Sequence, residues 1–346
     1  LFLFSTDGKI HINLFEEDKS DKEYIGFNFN EYIPIKDVFE EIKDLSIIFV
    51  HFNQTIGFKD LDVFKISDYL NIPYFVTVHD YFYICPRINL VSSGGFFCGV
   101  PQVETCEQCL SLGELEKDLD LLFKKKFDSS IIKWRKYYGE ILRNAKKVIC
   151  PSETAKDFIE KVFQINNIDV LPHPERISSV IYKPEKTQKV KIAIIGAIGP
   201  HKGYYQIQKL IEYSEKNKLP FEFIFIGYTA NNKNLAMHKN VIITGPYEPF
   251  ELPALIKIYK PHLALFLHIC PETYNYTLSE ALQNGLYPVA YDIGALSERM
   301  RKLGIGTIIP FPSTTEKIAE ILQEIFNSGF CSREVSINNE YKSILE

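Results

Sequence analysis

Two carboxylates separated by seven residues, Glu272 and Glu280, lie in the stretch CPETYNYTLSEALQNG (270–285), after an apolar run and before a glycine. Carboxylates accept hydrogen bonds from sugar hydroxyls. Upstream, GAIGPHKG (196–203) places Lys202 in a glycine turn just ahead of a helical pattern. Loop amides, a helix start and an ammonium together suit a diphosphate. Read jointly, the two stretches point to a polyhydroxylated, phosphorylated ligand. The turn is not a phosphate-loop NTPase motif, because no Ser or Thr follows the lysine, and the GxGxxG dinucleotide fingerprint is absent. Glu280 also has a purely structural reading, since Thr277 stands before it with capping-box spacing. Glu272 has none.

The first half of the chain offers three further groups. His79 and Asp80 end a strand-like run, and His51 ends the run before it. The plain alternative for either histidine is a ring satisfied by backbone carbonyls. His173, between two prolines, reads as structural. Cys85, Cys98, Cys106 and Cys109 fall in an insertion at about 85–112 that ends in CEQC. Four thiols in an irregular segment suit a structural zinc site that replaces a missing core, with free thiols or disulfides as the alternatives. Cys150, Cys270 and Cys331 read as small buried residues.

Positioning these groups falls to alternating strands and helices. In the first half, strands are predicted at 47–52, 74–79, 147–150 and 168–171, and helices at 58–70, 114–145 and 153–163, the last capped by Ser152. Residues 172–188, with three prolines and little periodicity, read as a linker, counted as 176–188 between domains 1–175 and 189–346. The second half gives strands at 189–196, 221–226, 241–244, 262–267, 287–291 and 305–309. Helices are expected at 204–216, 251–259, 277–284 and 294–302, and a terminal helix is expected to pack back on the first domain. The continuous apolar strands are those of parallel sheets covered on both faces. The fold class is therefore α/β, and doubly wound sheets bind ligands at the carboxyl ends of their strands.

The 346 residues suffice for two cores, and a net charge of −5 argues against nucleic acid as a partner. The basic segment Lys124–Lys126 with Lys133, Arg135 and Lys136 reads as a solvated helix face and permits peripheral membrane contact. No apolar run has the roughly 18–20 residues of a membrane span, and seven cysteines, several of them on apparently buried strands, suit a reducing compartment. The expected location is cytoplasmic, or peripheral at the inner face of the membrane. Leu1 opens inside a strand-like run, so native sequence is expected ahead of it.

Over residues 190–310 the chain resembles the retaining glycosyltransferases of family 4, within glycosyl transferases group 1. The Glu272-x7-Glu280 pair matches their two-glutamate signature, and PETYNYTLSEAL with GLYPVAYDIGA is similar to that motif and its continuation. GAIGPHKG fits their glycine-turn-to-KG element, and FIFIGYT and ITGPY fit two nucleotide-contact loops. HFNQTIG, TVHDYFYICPR and VICPS in the first half are similar to one branch of the family. The resemblance implies the GT-B fold: two Rossmann-like doubly wound parallel-sheet domains facing across a cleft.

It also implies site roles. Glu280 would bind the nucleotide ribose, Glu272 the donor sugar hydroxyls and Lys202 the diphosphate. Gly199, Gly203, Gly227, Tyr247, Asn275, Tyr276 and Thr277 would line the donor site. His79 and Asp80 would stand near the reacting sugar, and His51 on the acceptor side. One position departs from the pattern: Ala197 stands where many members carry an arginine that shares the diphosphate with the lysine, and His201 is the proposed substitute. The implied activity is transfer of a sugar from a UDP- or GDP-sugar to a hydroxyl on a glycan or lipid-linked acceptor, with retention, in surface polysaccharide or glycoconjugate synthesis. No Asp-x-Asp motif stands in a suitable place, so no metal or other cofactor is expected in catalysis. The rivals are a sugar-nucleotide epimerase, a phosphorylase of the same architecture, and a non-catalytic binding module.

Overall fold

The computed structural model describes residues 2–6, 9–13, 26–30, 39–40, 42–43, 46–53, 55–56, 61–181, 187–328 and 333–339. The chain divides into two compact units, Leu1–Ser93 with Cys98–Leu171, and Gly94–Phe97 with Pro172–Glu346. The start of the helix read at 58–70, residues 182–186 of the linker, and Cys331 lie outside the described residues.

The first unit begins with β1 (Phe2–Thr6), β2 (Lys9–Asn13) and β3 (Gly26–Asn30), which form a three-stranded antiparallel sheet. A second, four-stranded sheet is parallel and takes β4 (Val50–Phe52), β5 (Tyr74–Thr77), β6 (Lys147–Cys150) and β7 (Ile168–Val170) in chain order. Among the described residues its strands follow chain order, as parallel strand–helix–strand units do.

Between β4 and β5 the described part of the expected helix is a 3-10 segment, Leu61–Lys65, followed by a short α1 (Ile66–Leu70). The cysteine insertion, read as irregular, contains α2 (Val103–Leu112). The helix expected over 114–145 is two helices, α3 (Lys117–Phe127) and α4 (Ile131–Asn144). They part at Asp128 and Ser129, whose φ angles of 50° and 57° cannot continue a right-handed helix. Ser152 caps α5 (Glu153–Phe163) as predicted, its hydroxyl accepting from Ala155 N–H.

The second unit opens with β8 (Glu175–Ile181), inside the expected linker. The reason is tertiary: β8 pairs antiparallel with the far end of the chain, β15 (Arg333–Asn339). Ile177 and Ile181, on one face of the strand, enter the core from β8, as Val335 and Ile337 do from β15. The main sheet is built from β9 (Val190–Ile198), β10 (Phe221–Thr229), β11 (Val241–Ile243), β12 (Leu263–Phe266), β13 (Tyr287–Tyr291) and β14 (Thr307–Ile309). Its six strands are parallel in the order β11-β10-β9-β12-β13-β14.

Both faces of this sheet are buried. Ile192, Ile194, Phe223 and Phe225 enter one core, while Ala193, Ile195, Ile224 and Ile226 enter the other. Each fully buried large side chain contributes about 1.5–3 kcal/mol. The first core is covered by α6 (Tyr204–Lys216) through Ile207, Leu210 and Ile211, and by α11 (Thr315–Ser328) through Ile318 and Leu322. The short α7 (Asn232–Leu235) adds Leu235. The opposite core takes α8 (Leu252–Tyr259), α9 (Tyr276–Gln283) and α10 (Gly294–Leu303). The last described helix, α11, packs on its own unit's core, and the described segment after it is a strand; residues 340–346, where a terminal helix would end, lie outside the described residues. Among the described residues no helix is long and apolar enough to cross a membrane.

Candidate active site

Strand order reverses between β9 and β12, and the loops after these two strands carry the residues that the sequence singles out. At such a switch point neighbouring loops turn to opposite faces and leave a crevice. After β9, Pro200–Lys202 makes one 3-10 turn and Gly203 starts α6 with φ 85°. A Cβ at Gly203 would come within 2.0 Å of the Leu267 carbonyl oxygen, so only glycine lets the turn lie against the end of β12. The contact is completed by Ile269 N–H donating to the His201 carbonyl at 3.0 Å. Lys202 Nζ then stands 4.0 Å from Glu272 Oε1.

The Glu272 loop is fixed from several sides. Ala295 N–H, at the start of α10, donates to the Glu272 carbonyl at 2.9 Å. A Cβ at Gly294 would approach Pro271 Cα to 2.5 Å, so α10 begins hard against the loop. Asn275 is the N-cap of α9, with φ 76° and ψ 91°. Its Oδ1 accepts from Leu278 N–H at 2.7 Å and from the Thr277 hydroxyl at 3.0 Å, and its Nδ2 donates to Glu272 Oε2 at 2.6 Å. One buried amide therefore both caps the helix and orients the carboxylate. A non-glycine residue in this rare conformation stores strain that the surrounding bonds hold in place.

The cap at Asn275 replaces the Thr277–Glu280 capping box expected from the sequence. Because the helix starts at Tyr276, Glu280 lies more than one turn inside it and cannot reach back to the cap. Glu280 Oε2 is instead buried with no hydrogen-bond partner among the described residues. Burial raises the Glu280 pKa, against the lowering effects of the Tyr247 hydroxyl and Lys202. Glu272 goes the other way. Burial would raise its pKa, but His268, Lys202 and Asn275 outweigh it and hold the carboxyl at about 2.

The remaining donor-side residues gather here too. Gly227 on β10 is the register partner of Gly196, and Gly245 N–H donates to the Gly227 carbonyl at 3.0 Å. Tyr247, from the same loop as Gly245, faces Glu280, which together with burial pushes its phenol up to about 12. Gly199 packs against the His201 ring. Thr277 Cγ2 lies 3.5 Å from where a Gly196 Cβ would be. Tyr276 is exposed and stacks on His173, ring centroids 5.3 Å apart and 15° between planes. His201 is held toward its neutral form by burial and by Lys202.

Two features were missed in the sequence. His268 Nδ1 is 3.0 Å from Glu272 Oε1, with the ring almost wholly buried. Its signal was a histidine ending an apolar strand four residues before the first glutamate. The second is a buried network under the loop: Arg299 donates to the Tyr274 and Asn275 carbonyls at 3.3 and 2.7 Å and pairs with Glu175 at 2.5 Å. No local pattern marks Glu175, which lies in the segment read as linker.

In the first unit, Asp80 Oδ1 accepts from Phe82 N–H at 2.8 Å, so this carboxylate closes the turn after β5. His79 is exposed, with Nδ1 3.6 Å from Asp80 Oδ2, and that carboxylate raises its pKa. His51 is largely buried, its Nε2 2.7 Å from Thr77 Oγ1, and burial holds it at about 4, neutral near pH 7. The partner is a side-chain hydroxyl, not the backbone carbonyl of the structural alternative.

Cys85, Cys98, Cys106 and Cys109 are free thiols, as are Cys150 and Cys270, which removes the disulfide alternative. Cys85, Cys106 and Cys109 sulfurs accept from Arg87 N–H, Arg135 Nη2 and Ser93 N–H at 3.5, 3.4 and 3.3 Å. Among the described residues no three His, Cys, Asp or Glu side chains are arranged to hold a metal ion, so the geometry lends the zinc expectation no support. In the basic segment, Lys124 and Lys133 pair with Asp120 and Asp128, and Arg135 turns inward to the Ile84 carbonyl.

Residues 175–343 match the family model of glycosyl transferases group 1. The match lies wholly within the second unit and covers just under half of the chain. No curated protein matches the chain. Among solved structures, Anabaena Alr3699/HepE in complex with UDP-glucose is similar at 14% identity and TM-score 0.53, over 85% of this chain and 72% of that one. TarM is similar at 15% identity and TM-score 0.55, over 94% of this chain and 61% of its own length. The lipopolysaccharide outer core galactosyltransferase WaaB is similar at 15% identity and TM-score 0.53, over 85% of this chain and 70% of that one. At these identities the likeness is one of fold, a mixed α/β architecture with parallel sheets shared with GT-B glycosyltransferases.

Proposed function

We propose that the protein is a retaining glycosyltransferase that moves a sugar from a nucleotide diphosphate sugar to a hydroxyl acceptor. The observation that carries this reading is the constellation at the switch point. Lys202 stands 4.0 Å from Glu272, and the buried Glu280 oxygen beside them lacks a hydrogen-bond partner among the described residues. A buried acceptor left open costs about 1–3 kcal/mol, and a ligand hydroxyl would satisfy it. A nucleotide ribose suits Glu280, sugar hydroxyls suit the firmly ionised Glu272, and the diphosphate suits Lys202 with the amides at the start of α9. The Anabaena neighbour binds UDP-glucose, which supports a sugar nucleotide as the donor.

In the reaction the bond from the anomeric carbon to the diphosphate breaks as the acceptor oxygen bonds to the same face. The acceptor proton passes to the departing phosphate oxygen. Lys202 and the loop amides stabilise the charge that develops on the diphosphate, while Glu272 orients the sugar. His79 and Asp80 are the first unit's candidates near the reacting sugar. A glycan or lipid-linked acceptor in surface polysaccharide or glycoconjugate synthesis, and a cytoplasmic or membrane-peripheral location, complete the reading.

A thermal-shift panel of UDP-, GDP-, CMP- and dTDP-sugars tests it, since a ligand of the native state raises the melting temperature by mass action. At least one donor is expected to stabilise the protein and to release nucleotide when acceptor is supplied. Absence of both stabilisation and turnover across the panel would sink the proposal.

A further inference from the structure

A cavity of about 410 Å³ opens in the second unit, and every residue that lines it belongs to that unit. It lies on the sheet face covered by α6 and α11, beside Tyr291 at the end of β13 and Phe311 just after β14. Its volume falls in the range of small-molecule sites, roughly 300–1,000 Å³. Lys202, Glu272 and Glu280 are not among its lining residues. The two places share supports all the same: α6, which starts at the glycine turn, contributes Gln206, and the Glu272 loop contributes Ile269.

Two polar groups in the wall lack a protein partner. Tyr291 is only 2% exposed, and its ring meets Phe311 edge to face, centroids 5.2 Å apart at 69°. Its hydroxyl makes no hydrogen bond among the described residues. Burial pushes this phenol up to about 12, so it keeps its proton and can donate. Gln206 Oε1 is buried and also without a partner among the described residues, and an amide oxygen can only accept. A buried polar group left open is unfavourable, and the cavity is the space beside both residues where a partner can sit. Lys209, three residues along the same face of α6, and Glu316, in the first turn of α11, also line the cavity. Their opposite charges offset one another and disfavour a ligand of net charge.

We infer that this cavity is a saccharide-binding site, in which one hydroxyl of a neutral sugar ring donates to Gln206 Oε1 and another accepts from the Tyr291 hydroxyl. A sugar supplies donors and acceptors within one compact ring, and its C–H groups suit a wall that includes Phe311 and Ile318. An alkyl chain would leave both polar groups unpaired. A flat heterocycle finds no parallel pair of rings here, because Tyr291 and Phe311 are set edge to face. In a glycosyltransferase such a site gives a glycan a hold on the second unit outside the donor site. The inference goes beyond the donor reading and does not depend on it.

Saturation-transfer NMR on the full chain tests it, with UDP present in excess to fill a nucleotide site. The probes are methyl β-glucoside, methyl β-galactoside, the methyl glycoside of N-acetylglucosamine, cellobiose and lactose. At least one should bind. Tyr291→Phe, which removes only the hydroxyl, and Gln206→Met, which removes the amide, should each weaken that probe about tenfold, the effect of one hydrogen bond. Tyr291→Phe keeps the ring and its packing, so it decides the matter if Gln206→Met does not fold. Binding by none of the probes, or binding that either folded variant leaves at wild-type strength, overturns the inference. The sugar-nucleotide panel tests the donor reading separately, and failure of either leaves the other standing.

Discussion

Glu175 and Arg299, 124 positions apart in the chain, are joined at 2.5 Å directly beneath the loop that carries Glu272. Glu175 Oε2 also accepts from Ser279 Oγ, and the Arg299 guanidinium lies 4.0 Å from the centre of the Tyr274 ring. Tyr274 in turn donates to the His173 carbonyl, which Asn339 of β15 also approaches. The strand pair β8–β15 is thus bonded to the site loop through a buried ion pair and the hydrogen bonds around it.

Replacing Arg299 with Met should leave the Glu175 carboxylate buried and unpaired. Removing one partner of such a pair costs about 3–5 kcal/mol. Urea denaturation should show a loss of that order, and Glu175→Gln combined with Arg299→Met should recover part of it. An isolated Arg299→Met protein as stable as wild type would mean that the pair is not structural.

Glu272→Gln keeps the shape of the side chain and one oxygen for Asn275 but removes the anion that faces Lys202. Nucleotide affinity should be held within about threefold, whereas kcat should fall about a hundredfold or more, the cost of losing a strong contact to the reacting sugar. The comparison is UDP affinity against steady-state turnover. An unchanged kcat would remove Glu272 from the chemistry.

Glu280 carries a carboxyl whose pKa burial raises, so its ionised form opposes folding above its ordinary titration range. Glu280→Gln should therefore stabilise the free protein by about 1 kcal/mol, or about 2–4 °C in melting temperature for a unit of this size, while weakening nucleotide binding. Differential scanning calorimetry with and without nucleotide separates the two effects. A lower melting temperature in the free variant would contradict the open-acceptor reading.

Glu272 has the opposite sign. Its folded pKa of about 2 lies below the ordinary 4.5, so its contribution to stability is fully present above pH 4.5 and is lost as pH falls towards 2. The contribution is on the order of 2–3 kcal/mol at neutral pH. Urea midpoints of wild type and Glu272→Gln should differ at pH 7 and converge as the pH approaches 2. A gap that persists at low pH would assign the difference to packing.

Gly203→Ala places a methyl 2.0 Å from the Leu267 carbonyl oxygen in a left-handed conformation. The turn must then lift from β12, with a loss of more than about 1 kcal/mol in stability. Lys202 would leave its place near Glu272, so nucleotide affinity should fall as well. Calorimetric titration on the folded variant measures this, and unchanged affinity would show that the Lys202 position is not set by this contact.

The second unit was largely legible in the amino-acid order, because its sheet is covered on both faces. Continuous runs such as FEFIFI at 221–226 and HLALFL at 262–267 belong to buried parallel strands, and glycines at their ends mark close turns. Glu272, Glu280 and Lys202 could be read from type and spacing for a local reason: Lys202 and Glu272 lie in the loops beyond strand ends, and Glu280 in the helix that follows. What could not be read were the relations between distant segments. The linker prediction failed at β8 because that strand exists only through pairing with β15, more than 150 residues away. The Thr277 cap failed because Asn275, held by Glu272 and backed by Arg299, caps the helix two positions earlier. His268 looked like an ordinary strand end until folding set its ring against a carboxylate. Sequence fixes which chemistry the chain carries, because residue type and local periodicity are one-dimensional. Charge pairing, burial and an open acceptor depend on which remote groups share a site, and only the tertiary structure decides that.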